Sequence, residues 1–365
     1  MQNSAKRQNG KNKKNLDFMK KNNTNSLSIL FAGSPAIALP SLTAIAEEVK
    51  AGRWTLAGIV TNPDKAKGRG AITEATEIGQ KAAQLSEEFA ALGLKAPAIL
   101  KYETLKAEAR KAVSELKPDL LVTFAFGRIF GPKFMALFPL GGINVHPSLL
   151  PKYRGASPIQ ETILRRDSET GVSIQWITEE VDTGNILAQE RIPLNGKETA
   201  SSLSVIAAEK GAKLLFTVLE QFAETVSSIK KNDPEINCLP KGIPQQGQPS
   251  YCSMLEKKSG LIDWNKSALE IDAQIRAYNP WPMAYTNHRE QNLNILEAVP
   301  YSRSPPEGTL PGGVLGIDKK SGILVQTGDG IIAVSLLQYQ YKKVLAWRAF
   351  LNGARDFIGS CLGGS

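Results

Sequence analysis

The chain has 365 residues, 42% hydrophobic and 22% charged, which suits a soluble protein of two domains, each able to bury a core. No run of 18 uncharged apolar residues occurs, which argues against a membrane-spanning helix, and Cys238, Cys252 and Cys361 are too scattered for a disulfide framework or a CxxC site, so a reducing, cytoplasmic setting without a metal is expected. The net charge of +9 lies mostly in residues 1–27, where seven Lys and Arg against Asp17 give +6 and leave +3 for the other 338, so any nucleic-acid surface on the folded part must be a local patch.

Residues 1–27 are rich in Asn and Lys and poor in apolar side chains, which predicts a disordered basic tail with no secretory signal; Met19 offers an alternative start. Ser28–Phe31 reads as a first buried strand that ends in the turn Ala32-Gly33-Ser34-Pro35. A helix to about Lys50 and a strand Thr55–Thr61 follow, then helical spacing over Glu74–Leu92, a short strand Ala98–Leu100 and a helix Glu103–Leu116. Leu120–Phe124 and Gly142–Val145 are further apolar runs. Strands alternating with helices imply parallel βαβ units, a Rossmann-like α/β domain with its sheet covered on both faces. GxGxxG is absent, which disfavours a nicotinamide enzyme.

Ser201–Ile229 reads as a long closing helix, and the Pro- and Gln-rich segment 230–250 as a linker. From about Tyr251 a second domain begins with a helix near Ser267–Tyr278. Short alternating segments follow at Leu293–Ala298, Gly313–Ile317, Gly322–Gln326 and Gly330–Leu337, which predict a small antiparallel barrel, and a helix near Ala346–Ile358 ends the chain. Residues 251–345 hold ten basic and nine acidic side chains, so RNA binding there would need an asymmetric basic face.

The chemistry concentrates in Asn144-Val145-His146-Pro147-Ser148-Leu149-Leu150-Pro151 and, 31 residues further, Asp182 in Asp-Thr-Gly. Only two histidines exist, and His146 sits at a strand end, where open α/β sheets bind ligands. Asn144 and His146 are two apart and share a face of an extended strand. Amide and imidazole can donate to a developing oxyanion, and a carboxylate can orient the imidazole, a set suited to acyl transfer. Taken singly, Asn144 could cap a turn, His146 could be a satisfied core imidazole, and Asp182 could serve turn geometry alone.

The motif pair Asn-x-His-x-Ser-Leu-Leu-Pro and Asp-Thr-Gly resembles the formyltransferases that use 10-formyltetrahydrofolate, and the likeness runs over roughly residues 27–360. It implies a catalytic domain at 28–229 and a C-terminal, OB-like tRNA-binding β-barrel domain at 251–365. It implies catalytic roles for Asn144, His146 and Asp182. Folate contacts are implied for Phe126, Gly127, Arg128, Ile129 and Phe130, whose segment could otherwise be a plain βα loop, and for Ser148, Leu149, Leu150 and Pro151. Thr61–Gly70 is similar to the basic loop of those members that formylate initiator methionyl-tRNA, with Lys65, Lys67 and Arg69 toward the acceptor stem; alternatively it is a solvated mobile loop. Family members usually continue with lysines and prolines where this chain has Ala71-Ile72-Thr73-Glu74. A monomer is expected. The competing readings are a formyltransferase acting on a small amine, such as glycinamide ribonucleotide or an amino sugar nucleotide, and a non-catalytic RNA-binding protein on the same scaffold.

Overall fold

The structure is a computed structural model that describes residues 26–67, 72–231 and 239–363. Most of the expected tail, Arg69, Cys238 and part of the expected linker lie outside the described residues. Among the described residues no helix is long and apolar enough to cross a membrane. The chain falls into two compact units.

The first unit runs to Arg154 and adds Gly171–Ile192 and Val205–Tyr251. Its strands are β1 (Leu27–Gly33), β2 (Trp54–Thr61), β3 (Lys65–Lys67), β4 (Ile72–Glu74), β5 (Ala98–Lys101), β6 (Leu120–Phe124), β7 (Gly142–His146), β8 (Arg154–Gly155), β9 (Glu169–Trp176) and β10 (Ile186–Pro193). Seven form one sheet in the order β10-β9-β7-β6-β1-β2-β5. Every residue of β1 and β6 is buried, as continuous apolar runs require in a sheet covered on both faces. Thr76 caps the helix Glu77–Ala91 by accepting from the Gly79 amide at 3.0 Å.

Strands β2, β1, β6 and β7 pair in parallel, but β9 pairs antiparallel to β7, which the expectation of parallel βαβ units did not include. The chain between β7 and β9, residues 147–168, holds β8 and the helix Pro158–Leu164 before β9 returns alongside β7. This pairing sets Gln175 opposite Asn144 and Ser173 opposite His146.

The second unit comprises Gly155–Thr170, Pro193–Ser204 and Cys252 onward. It therefore takes two segments from inside 28–229. Helix Ala268–Tyr278 starts in a capping box of Ser267 and Glu270. After β11 (Tyr251–Cys252) come β12 (Ala284–His288), β13 (Gln291–Tyr301), β14 (Val314–Asp318), β15 (Gly322–Gln326), β16 (Ile331–Tyr339) and β17 (Leu345–Ala346). The antiparallel sheet runs β12-β13-β16-β15-β14, with β17 on β16. Trp264, Ile271, Ile275, Ile295, Ile332, Phe350 and Phe357 fill its core. The Trp264 indole satisfies its N–H on Thr286 Oγ1 at 2.9 Å.

Candidate active site

β7 carries Asn144 and His146 on one face, and the loop after β9 folds back so that Asp182 meets both. Asn144 Nδ2 donates to Asp182 Oδ1 at 3.3 Å, and His146 Nδ1 faces Asp182 Oδ2 at 3.5 Å. His146 is 3% exposed, and its Nε2 donates to the Tyr153 carbonyl at 2.9 Å, since a carbonyl can only accept. Nε2 is thereby committed, and Nδ1 is left facing the carboxylate. The second N–H of the Asn144 amide has no partner among the described residues, so it is the donor left for a ligand oxygen.

The loop geometry depends on Gly184. A Cβ there would lie 1.8 Å from the Trp176 carbonyl oxygen, so only glycine lets the turn close on β9. Residues 240–245, within the segment 230–250 expected as a linker, are laid along this loop. Trp176 Nε1 donates to the Pro240 carbonyl at 3.0 Å, Asn185 Nδ2 to Lys241 at 3.1 Å, and Ile186 and Ile243 exchange backbone hydrogen bonds. The segment delivers Gln245, which reading the sequence missed along with Gln175. Gln175 Nε2 donates to Asp182 Oδ1 at 2.6 Å, and Gln245 Nε2 to the carbonyls of Asp182 and Gly184 at 2.9 and 2.8 Å. Register with Asn144 could have suggested Gln175. Nothing local marks Gln245.

The other expected residues divide by burial. Phe126 and Phe130 are core side chains, stacked at 5.5 Å at the head of a row that continues to Phe134 and Phe138. Gly127 and Ile129 are exposed, while Arg128 Nε donates to Asn62 Oδ1 at 2.7 Å. Thus only the backbone and the outer side chains of this turn can meet a ligand. Ser148 is fully buried: its hydroxyl donates to the Lys152 carbonyl at 2.6 Å, and its own carbonyl accepts from Ser173 Oγ at 2.7 Å. Leu150 is buried as well, with its amide on Ser173 Oγ, leaving Leu149 and Pro151 half-buried at the edge. Ser148 and Leu150 therefore build the turn beneath the site.

Within the basic segment β3 and β4 pair antiparallel, which sets Lys65 opposite Glu74. Ile72–Glu74, where the chain departs from the family's lysines, supplies the second strand. Lys65 is exposed.

A Rossmann-like sheet with an amide, an imidazole and a carboxylate converging on β7, followed by an antiparallel β unit, defines a class. The family model described as Formyl transferase matches residues 30–219, and that of the Formyl transferase C-terminal domain matches 254–355; the chain belongs to the formyl transferase family. It is 44% identical over 335 residues to the methionyl-tRNA formyltransferase of Treponema denticola, covering 91% of this chain and 98% of the relative. To the methionyl-tRNA formyltransferase of Treponema pallidum (strain Nichols) it is 38% identical over 348 residues, covering 92% and 99%. The structure of HypX from Aquifex aeolicus in complex with tetrahydrofolic acid matches with a TM-score of 0.56 at 15% identity, over 91% of this chain and 48% of that one, a likeness of fold.

Proposed function

We propose that this chain transfers the formyl group of 10-formyltetrahydrofolate to the α-amino group of methionyl-initiator tRNA. The observation that carries the reading is the meeting of Asn144, His146 and Asp182 on one face of β7, in a chain that methionyl-tRNA formyltransferases match over nearly their whole length. Gly127 and Gly131 support a folate cosubstrate: an added Cβ at either would meet nothing within 4 Å, so the backbone of this turn is open to a flat ring. Folate supplies the formyl group.

The amine nitrogen, neutral when it attacks, bonds to the formyl carbon while the bond from that carbon to N10 breaks. The proton that the amine loses ends on N10. Asn144 directs its second N–H at the formyl oxygen as negative charge gathers there. With Nε2 held by the Tyr153 carbonyl, His146 acts through Nδ1 rather than as a direct oxyanion donor. His146 Nδ1 and Asp182 hold the amine's proton on its way to N10. Lys65, Lys67 and Arg69 meet phosphates of the acceptor stem, and the second unit adds surface for the same RNA. One chain suffices.

The test compares methionyl-initiator tRNA, glycinamide ribonucleotide and water as acceptors of formyl from 10-formyltetrahydrofolate. Fast transfer to the charged tRNA alone is expected. Transfer to the small amine with the tRNA inert would overturn the acceptor and keep the site.

A further inference from the structure

Asp182 occupies the left-handed region at φ +55°, a conformation that a residue other than glycine keeps only when its surroundings hold it. Two glutamines do so from different directions. Gln175 is 1% exposed, and its buried amide is satisfied by donation to Asp182 Oδ1 at 2.6 Å. Gln245 spans the turn from outside, with Nε2 on the carbonyls of Asp182 and Gly184 and 3.4 Å from Gln175 Oε1. The Gln245 amide is itself oriented, because Arg154 Nε and Nη2 donate to its Oε1 at 3.0 and 2.7 Å. A guanidinium only donates, so this pairing fixes Oε1 toward Arg154 and both N–H groups toward the loop.

We propose that Gln245, oriented by Arg154, is a positioning residue that holds the Asp182 turn, and that Gln175 aims its carboxylate so that Oδ2 is presented to His146. The inference rests on the reading of Asp182 as catalytic. Donors from Gln175 and Asn144 both take Oδ1, which leaves Oδ2 on the side of the imidazole. Neither glutamine needs to touch a substrate to matter. Its effect passes through the angle and distance of one carboxylate, and small misplacements of a catalytic group cost much in rate.

The decisive variant is Gln245→Glu, which keeps the length and the acceptor for Arg154 but removes both N–H donors and sets a carboxylate against two carbonyls. We expect kcat to fall by about tenfold to a hundredfold while KM for tRNA and for folate stays within about twofold, since the group removed acts on the reacting geometry and not on binding. In the Asp182→Asn background the same change should cost less than about threefold, because the residue being positioned no longer functions. Should Gln245→Glu fail to fold, Gln245→Met, of similar volume and without either donor, is read in the same way. Wild-type kcat in a folded Gln245 variant, with Asp182→Asn inactive, would overturn the inference and leave the catalytic reading standing. Full multiplication of the two losses would overturn it too, by making the residues independent. An active Asp182→Asn would instead remove the catalytic reading itself.

Discussion

Asn144 and Asp182, 38 residues apart in the chain, meet Nδ2 to Oδ1 at 3.3 Å. The hydrogen bond uses one amide hydrogen and leaves the other, so the carboxylate aims the amide as well as facing the imidazole. It exists because β9 runs antiparallel to β7 and its loop returns over the same face. If this pair belongs to the reaction, Asn144→Ala removes the direct donor and Asp182→Asn removes the charge that faces His146. Each should lower kcat by about a hundredfold, roughly 3 kcal/mol, the usual cost of losing one oxyanion donor. Steady-state formyl transfer beside circular dichroism checks this; near-normal turnover in either folded variant would remove that residue from the site.

Gly184 is the position where sterics alone decide. An added Cβ would lie 1.8 Å from the Trp176 oxygen and 2.7 Å from its carbonyl carbon, both backbone atoms that cannot swing aside. Gly184→Ala must therefore push the loop off β9 and carry Asp182 with it. The expected cost is about 1–3 kcal/mol of stability, as for overpacking elsewhere, together with a loss of kcat close to that of Asp182→Asn. Urea unfolding and turnover, measured on the same preparation, separate the two. Wild-type stability would mean that the turn relaxes without strain.

Much of this was legible in the sequence, because strands buried on both faces announce themselves as apolar runs and the alternating Asn-x-His pair fixes a shared face. The capping box at Ser267 and Glu270 likewise marks its own helix. What was not legible depends on chain return. The antiparallel direction of β9, the hairpin of β3 and β4 and the strand β12 are settled by pairing partners and not by local pattern. Gln245 is the clearest case. It lies in a Pro- and Gln-rich stretch that composition reads as spacer, and only its hydrogen bond to a loop 63 residues earlier gives it meaning. At Phe126 and Phe130 packing takes both rings into the core, which leaves their backbone for the folate contact that the family motif implied.

The basic hairpin should act on RNA and not on folate. Lys65 is exposed on β3. Replacing Lys65, Lys67 and Arg69 together with Ala should raise KM for methionyl-initiator tRNA and leave KM for folate unchanged. It should also reduce the slope of log(kcat/KM) against log[salt] by up to about 0.9 for each duplex phosphate that the variant no longer neutralises. Kinetics at three or more salt concentrations give the slope. An unaltered slope would make the hairpin a solvated surface feature.

The burial of His288 should be visible in the pH dependence of stability. Its Nδ1 is 2.6 Å from Tyr339 Oη, the ring packs edge-on to Phe357 at 4.8 Å, and Nε2 is buried without a partner among the described residues. Burial pushes its pKa below the ordinary imidazole value, and neighbouring Arg289 lowers it further against a smaller opposing pull from Asp356. The sign follows from proton binding. Above about pH 6.5 both the folded and the unfolded imidazole are neutral and pH has no leverage. As pH falls below that value the unfolded chain takes up a proton that the folded chain refuses, so stability drops until the lowered folded pKa is reached. The slope can approach one proton, about 1.4 kcal/mol per pH unit. Unfolding of the wild type should therefore weaken faster as pH falls below about 6.5 than that of His288→Gln, whose amide can still bond Tyr339 but does not titrate. Formyl transfer at about pH 7.5, where the imidazole is neutral in both states, should be the same in both proteins. Equal pH slopes would show that His288 charges freely in the folded protein.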